Sequence, residues 1–223
     1  MKTKKVIILG GKGTAVNIAE GIWDAQMKHG APVEFLGFAF DDLSNGNSIN
    51  DFPILCKTTE AWEKYKEEED VYFIFQMNHQ NKMRERMELI DSYGIPPERW
   101  FTFIHPTAFV SKSAKIGHGT VVFVGCAIHA NAEIGNHCTF SALTTIGHDT
   151  IIGNHVFMST HVCIGSYAKL GENTFFGQNT TVTGSVTVEK DNLVGLGAVV
   201  VKDILKTNQV IIGFPAKPVR AIN

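Results

Sequence analysis

Residues 144–158 read Thr144-Thr145-Ile146-Gly147-His148-Asp149-Thr150-Ile151-Ile152-Gly153-Asn154-His155-Val156-Phe157-Met158, with a bulky hydrophobe at every sixth place: Ile146, Ile152 and Met158. Outward in both directions the period holds through Ile104, Val110, Ile116, Val122, Ile128, Ile134 and Phe140, then Ile164, Leu170, Phe176, Val182, Val188, Val194 and Val200. Two residues before most of them stands a small or β-branched side chain, such as Ala114, Cys126, Thr144, Val156 or Ala198. One residue after comes Gly in many cases, including Gly117, Gly135, Gly147, Gly153, Gly165 and Gly177. Neither a 3.6-residue helix nor a two-residue strand alternation has this spacing. A parallel β-helix does, because its coils return an inward residue at short fixed intervals.

A second period lies inside the first. Phe140, Met158 and Phe176 fall in one column with Ile104, Val122 and Val194, while the columns of Ile128 and Ile134 are wholly aliphatic. Residues eighteen apart are therefore stacked neighbours, and three hexads close one triangular coil. About five coils fit, each rising by roughly 4.8 Å. The hairpin turns of an all-β sandwich would interrupt so strict a spacing.

The first hundred residues follow another rule. Strands are expected at Lys4–Leu9, Val33–Phe40 and Val71–Phe75, with helices after the first strand to about Lys28, at Glu60–Glu68 and at Asn81–Tyr93. A loop rich in Asn, Ser, Gly and Asp runs to Asp51. Alternating strands and helices predict a small parallel α/β sheet of Rossmann-like type. Such sheets bind ligands beyond the carboxyl ends of their strands. Those ends carry Gly10-Gly11-Lys12-Gly13-Thr14, Asp41-Asp42 and Gln76-Met77-Asn78. The glycine turn is neither GxGxxG nor a Walker loop, so a phosphate cradle and a bare tight turn both stay open. The expected division is 1–103, 104–212 and a C-terminal tail at 213–223.

Chemistry is expected from the repeat. The net charge of −2 gives no footprint for nucleic acid or an anionic membrane. No signal peptide and no eighteen-residue apolar span is visible, which predicts a soluble, cytoplasmic chain. Cys56, Cys126, Cys138 and Cys163 form no CxxC pair, and reduced thiols are expected. Seven of nine histidines lie between His105 and His161, most at outward or corner slots where solvation is expected. His137 and His155, eighteen apart, should stack. His148 stands at a corner beside Asp149, which could orient it and raise its basicity.

With Phe40-Asp41-Asp42, Ile104-His105-Pro106, Gly147-His148-Asp149 and Gly213-Phe214-Pro215-Ala216-Lys217 beside the hexads, nearly the whole chain resembles the NeuD/PglD-like sugar O-/N-acetyltransferases of the hexapeptide-repeat acyltransferases. The resemblance implies a left-handed β-helix, a homotrimer, acetyl-CoA between neighbouring β-helices and no metal. It makes His148 the general base, with Asp149 behind it. The mechanism expected on that basis needs a backbone N–H for the oxyanion, for which Gly165 and Ser166 on the next coil are placed. Gly213 and Pro215 would turn the tail against coenzyme A with Lys217 near its phosphates, while Lys202 reads as a solvated coil residue. The resemblance assigns Gly11, Gly13, Thr14, Asp41, Asp42, Asn78 and Ser141 to a nucleotide-activated amino sugar. Thr14 replaces a histidine frequent in relatives, Ser141 an asparagine, and Gln76-Met77-Asn78 an Ile-Gly-Asn turn. These departures bear on the identity of the sugar.

The expected reaction is N-acetylation of a 4-amino-deoxy type sugar in bacterial glycan biosynthesis. O-acetylation of a sialic acid or capsule sugar is the alternative within the same chemistry. A zinc enzyme using His137, His155 and His161, or a non-catalytic scaffold, are alternatives outside it.

Overall fold

The computed structural model describes residues 2–44 and 46–222. Its first layer is a sheet of β1 (Lys4–Leu9), β2 (Val33–Ala39), β3 (Ser48–Ile49), β4 (Phe52–Cys56) and β5 (Val71–Phe75), in the order β3-β4-β2-β1-β5. All neighbours are parallel except β3 with β4. Central β1 is apolar on both faces, and Val6 through Leu9 are fully buried. The helices are α1 (Thr14–His29), α2 (Ala61–Tyr65) and α3 (Met83–Ser92).

Two expectations need correction. The loop expected up to Asp51 holds β3, and β4, in a stretch where no element is expected, inserts between β3 and β2. The helix expected over Glu60–Glu68 shrinks to a 3₁₀ turn (Thr58–Glu60) and α2. Glu67, Glu68, Glu69 and Asp70 would crowd the negative end of a longer helix.

From Phe103–Ile104 to Val199–Val200 the chain forms two-residue strands joined by four-residue turns. They stack in three parallel sheets with partners eighteen apart, such as Ile128 with Ile146 and Phe140 with Met158. This is a left-handed parallel β-helix. The third residue after each inward hydrophobe, from Gly119 to Gly197, has φ between 53° and 69°. Asn and Asp recur there (Asn131, Asp149, Asn173, Asn179, Asp191) because they tolerate that region best after Gly. The Gly after each hydrophobe has a steric cause: a Cβ on Gly153 would lie 2.6 Å from Glu172 N on the next coil. Ile128, Phe140, Ile146, Met158, Phe176 and Val194 are all buried inside the coils. Ile104, first of the column, is 39% exposed, since no earlier coil covers it.

The three faces differ in what they present outward. Val121, Thr139 and Phe157 are buried under the α/β layer, where Gln76 Oε1 accepts from Thr139 Oγ1 at 3.1 Å and Trp100 meets His137 edge-on at 4.8 Å. A second face offers Phe109, Ala127, Thr145, Cys163, Thr181 and Val199, with no charge among them. The third offers Lys115, Glu133, Ile151 and Lys169. After the last coil, Gln209–Gly213 and Ala216–Ala221 form an antiparallel hairpin that extends the covered sheet. The segment from Ala216 onward is thus the return strand of a hairpin whose outgoing strand ends at Gly213. No helix is long and apolar enough to cross a membrane.

Candidate active site

His148 sits at the corner between the uncharged and the charged faces, opposite the face covered by the chain's own α/β layer. Its Nδ1 lies 2.7 Å from Asp149 Oδ2, and Asp149 Oδ1 accepts from Asn131 Nδ2 at 3.0 Å. The His148 and Asn131 hydrogen bonds hold the Asp149 carboxyl below its ordinary range, so it is an acceptor at neutral pH. In the neutral ring, Nδ1 therefore carries the proton and Nε2 the free lone pair. The Tyr167 ring stands edge-on at 5.0 Å. Asn131 and Tyr167 were not singled out in the sequence; stepping eighteen residues from Asp149 reaches both Asn131 and Tyr167.

One coil on, the two backbone donors separate. Gly165 N–H is committed to Val182 O at 2.8 Å, whereas Ser166 N–H has no acceptor among the described residues. A Cβ on Gly147 would lie 2.5 Å from Ser166 N. The glycine before His148 therefore keeps that N–H open, and of the two it is the Ser166 N–H that is free to donate.

The acceptor-side candidates divide between two cavities. Thr14 and Ser141 line one of about 590 Å³ between α1 and the coils, with Asn17, Glu20, Asp24 and Phe157. Gly11 and Asp42 line another of about 260 Å³ with Lys12, Phe40 and Asn50. Lys12 Nζ pairs with Asp42 at 2.6 Å and keeps its carboxyl well below the usual range. Gly13 has φ 56° at the start of α1, a conformation glycine adopts readily. Asp41 is turned away: its oxygens accept from Thr58 N at 3.1 Å and Thr58 Oγ1 at 2.7 Å. Asn78 is half-buried on the loop after β5 and lines neither cavity. Gly213 and Pro215 make the hairpin turn, and Lys217 is exposed on its return strand.

The histidines correct a further expectation. His137 and His155 stack as expected, 5.2 Å apart and 6° from parallel, but they are not solvated. Burial pushes His137 down to about 3 and lowers His155 and His118 in the same direction. Among the described residues, ligand atoms converge only at Asp24, His29 and His105, so His137, His155 and His161 form no metal set. Asp24 is already paired with Lys28 at 2.6 Å, and His105 Nδ1 with Thr107 Oγ1 at 2.8 Å.

The chain is similar to the acetyltransferase domain of PglB from Neisseria gonorrhoeae FA1090 in complex with acetyl coenzyme A. The two share 26% identity over 97% of this chain and 100% of that one, with a TM-score of 0.81. This chain's architecture is that of the hexapeptide-repeat sugar acetyltransferases. The same fold occurs in PerB from Caulobacter crescentus, in complex with CoA and GDP-perosamine, at 24% identity, 97% coverage of both chains and a TM-score of 0.81. WeeI from Acinetobacter baumannii AYE shares it at 18% identity, 97% and 100% coverage and a TM-score of 0.65. No protein-family profile and no curated protein matches the sequence. The hexapeptide-repeat acetyltransferase architecture thus covers the α/β layer as well as the coils.

Proposed function

We propose that the protein is an acetyl-CoA-dependent N-acetyltransferase acting on a nucleotide-linked amino sugar, with His148 as general base. The observation that carries this reading is the open His148 Nε2, backed by Asp149 and Asn131, one coil from the unpartnered Ser166 N–H. The neutral amine attacks the thioester carbonyl, and His148 Nε2 takes the proton that nitrogen must lose. Ser166 N–H stabilises the oxyanion, the C–S bond breaks, and the thiolate leaves with the proton from the imidazolium. An amide and a free thiol result. A positioned base of this kind contributes about 10²–10⁴-fold.

The two cavities suit a two-part acceptor. The smaller one, beside the start of α1, would take the nucleotide, with its phosphates near the helix N-terminus. The larger would take the sugar. PerB in complex with GDP-perosamine supports an acceptor of that class. Gly213, Pro215 and Lys217 remain the candidates for the far end of coenzyme A.

His148 lies on a different corner from its own acceptor cavity and does not line it, which supports a site completed by a second copy. Packing the uncharged faces of three copies about a threefold axis would bring the His148 corner of one toward the Ser141 corner of the next. We infer a homotrimer on that ground.

Thiol release from acetyl-CoA, measured across UDP-, dTDP- and GDP-linked amino sugars, tests the reaction. Turnover with one of them is expected, and His148→Ala should abolish it by orders of magnitude while binding acetyl-CoA normally. Turnover near that of the parent in that variant would remove His148 from the mechanism.

A further inference from the structure

We propose that the larger cavity selects a cationic acceptor and that Glu20 is the residue that recognises its ammonium group; this rests on the reading above. The cavity is lined by two carboxylates, Glu20 and Asp24, and by no Lys or Arg. Asp24 is neutralised by Lys28 at 2.6 Å and held by His105 at 3.2 Å. Glu20 makes no ion pair among the described residues. Its one side-chain hydrogen bond among the described residues is a long one from Asn50 Nδ2 at 3.4 Å. Asn50 lines the smaller cavity, so Glu20 stands where the two cavities meet.

The helix explains why the carboxylate is there. Ala15, Ile18, Ala19, Ile22 and Ala25 fill the buried face of α1, and Thr14, Asn17, Glu20, Gly21 and Asp24 form a polar stripe at helical spacing. A polar helix face ordinarily meets bulk water. This one meets the coils across the cavity, opposite Ser141, Ser159, Thr160 and the buried Phe157. Glu20 is exposed in the free protein, and an acceptor seated in the cleft would displace the water that screens its carboxylate, so its field on the bound group is larger.

An alkylamine is largely protonated at neutral pH. The cavity therefore attracts an amino sugar in its ammonium form. It disfavours a sugar carrying a carboxylate, such as a sialic acid, and gains nothing from a hydroxyl in place of the amine. The ammonium gives one proton to solvent before attack, and the neutral amine then reacts with the thioester. Glu20 sets which acceptor is captured and does not enter bond making.

The test compares the parent enzyme, Glu20→Gln and Glu20→Asp on the best nucleotide-linked amino sugar and on the matched sugar bearing hydroxyl in place of amine. Glu20→Gln is expected to raise KM for the amine roughly ten- to a hundredfold with kcat changed less than threefold. Glu20→Asp should restore most of the loss, the hydroxyl analogue should bind parent and variants alike, and thermal stability should not move. Parent turnover with an unchanged KM in Glu20→Gln overturns the inference and leaves the proposed function standing. Equal losses for amine and hydroxyl also overturn it. A parent that acetylates only hydroxyl-bearing or carboxylated sugars overturns both.

Discussion

Asn131 Nδ2 donates to Asp149 Oδ1 at 3.0 Å across one coil of the β-helix, and Asp149 Oδ2 holds His148 Nδ1 at 2.7 Å. The stacking period thus sets the tautomer of the proposed base. Asn131 is a positioning residue, and removing its side chain should relax Asp149 without touching the imidazole. Glycine is the right replacement, since Gly119, Gly125 and Gly197 occupy the same turn position with φ near that of Asn131. With one lowering hydrogen bond gone, the Asp149 carboxyl rises and protonates earlier as pH falls. Asn131→Gly should lower kcat about tenfold, a part of the roughly 10²–10⁴-fold that a positioned base contributes. The acid limb of kcat should move to higher pH, with KM for acetyl-CoA and thermal stability unchanged. A pH–rate profile identical to the parent's would remove Asn131 from the relay.

The two glycines ahead of His148 and Asn154 make a matched pair. A Cβ at Gly147 would meet Ser166 N at 2.5 Å, and one at Gly153 would meet Glu172 N at 2.6 Å. Either alanine must push neighbouring coils apart, at about 1–3 kcal/mol for overpacking. Gly147→Ala also closes on the proposed oxyanion donor, whereas Gly153→Ala lies on another corner. Both variants should melt lower by similar amounts, and only Gly147→Ala should lose kcat by a further tenfold or more. Equal kinetic losses would mean that coil strain, and not access to Ser166 N–H, governs turnover.

The eighteen-residue period made the coils, the His148–Asp149 pair and the Ser166 neighbour legible from the sequence, because stacking turns a one-dimensional count into contact. The same count could have found Asn131. What stayed hidden depends on pairings that no period encodes. Asp41 is held by Thr58, seventeen residues away in the irregular half of the chain. β4 is masked by Pro53 and stabilised only by its neighbours β2 and β3. Glu20 draws no notice in the sequence, and only laying α1 against the coils puts it at a cavity; the histidines read as exposed until Trp100 covers His137.

That covered histidine makes the junction sensitive to acid. His137 Nδ1 is buried without a partner, and its ring is held neutral down to about pH 3, against roughly 6.5 in an unfolded chain. Between those values the unfolded state binds the extra proton, so stability rises with pH and falls as the solution is acidified from 6.5 toward 3. At pH 5 the loss is about 2 kcal/mol from this residue. His155 and His118 add to it in the same direction. His137→Asn, suited to the left-handed turn there, should flatten the dependence of Tm on pH between 4 and 6.5. An unchanged slope would show that other groups govern acid unfolding.

The uncharged face carries the last prediction, because a site built in trans needs that face buried between copies. Thr181 lies on it, exposed, while Lys169 lies on the charged face. In a closed trimer Thr181→Glu would bury an unpaired carboxylate at each interface, a penalty of several kcal/mol per ion. Light scattering should therefore report monomers or weakened trimers for Thr181→Glu, with turnover lost in proportion, and an unaltered trimer for Lys169→Glu. Complementation then separates assembly from catalysis. His148→Ala supplies an intact acceptor cavity and Asp42→Ala an intact base, so two poorly active variants mixed during refolding should regain turnover if the base of one copy serves the cavity of another. Trimers that form normally from the mixture yet stay inactive would confine the whole reaction to one chain, and the corner position of His148 would then need a different explanation.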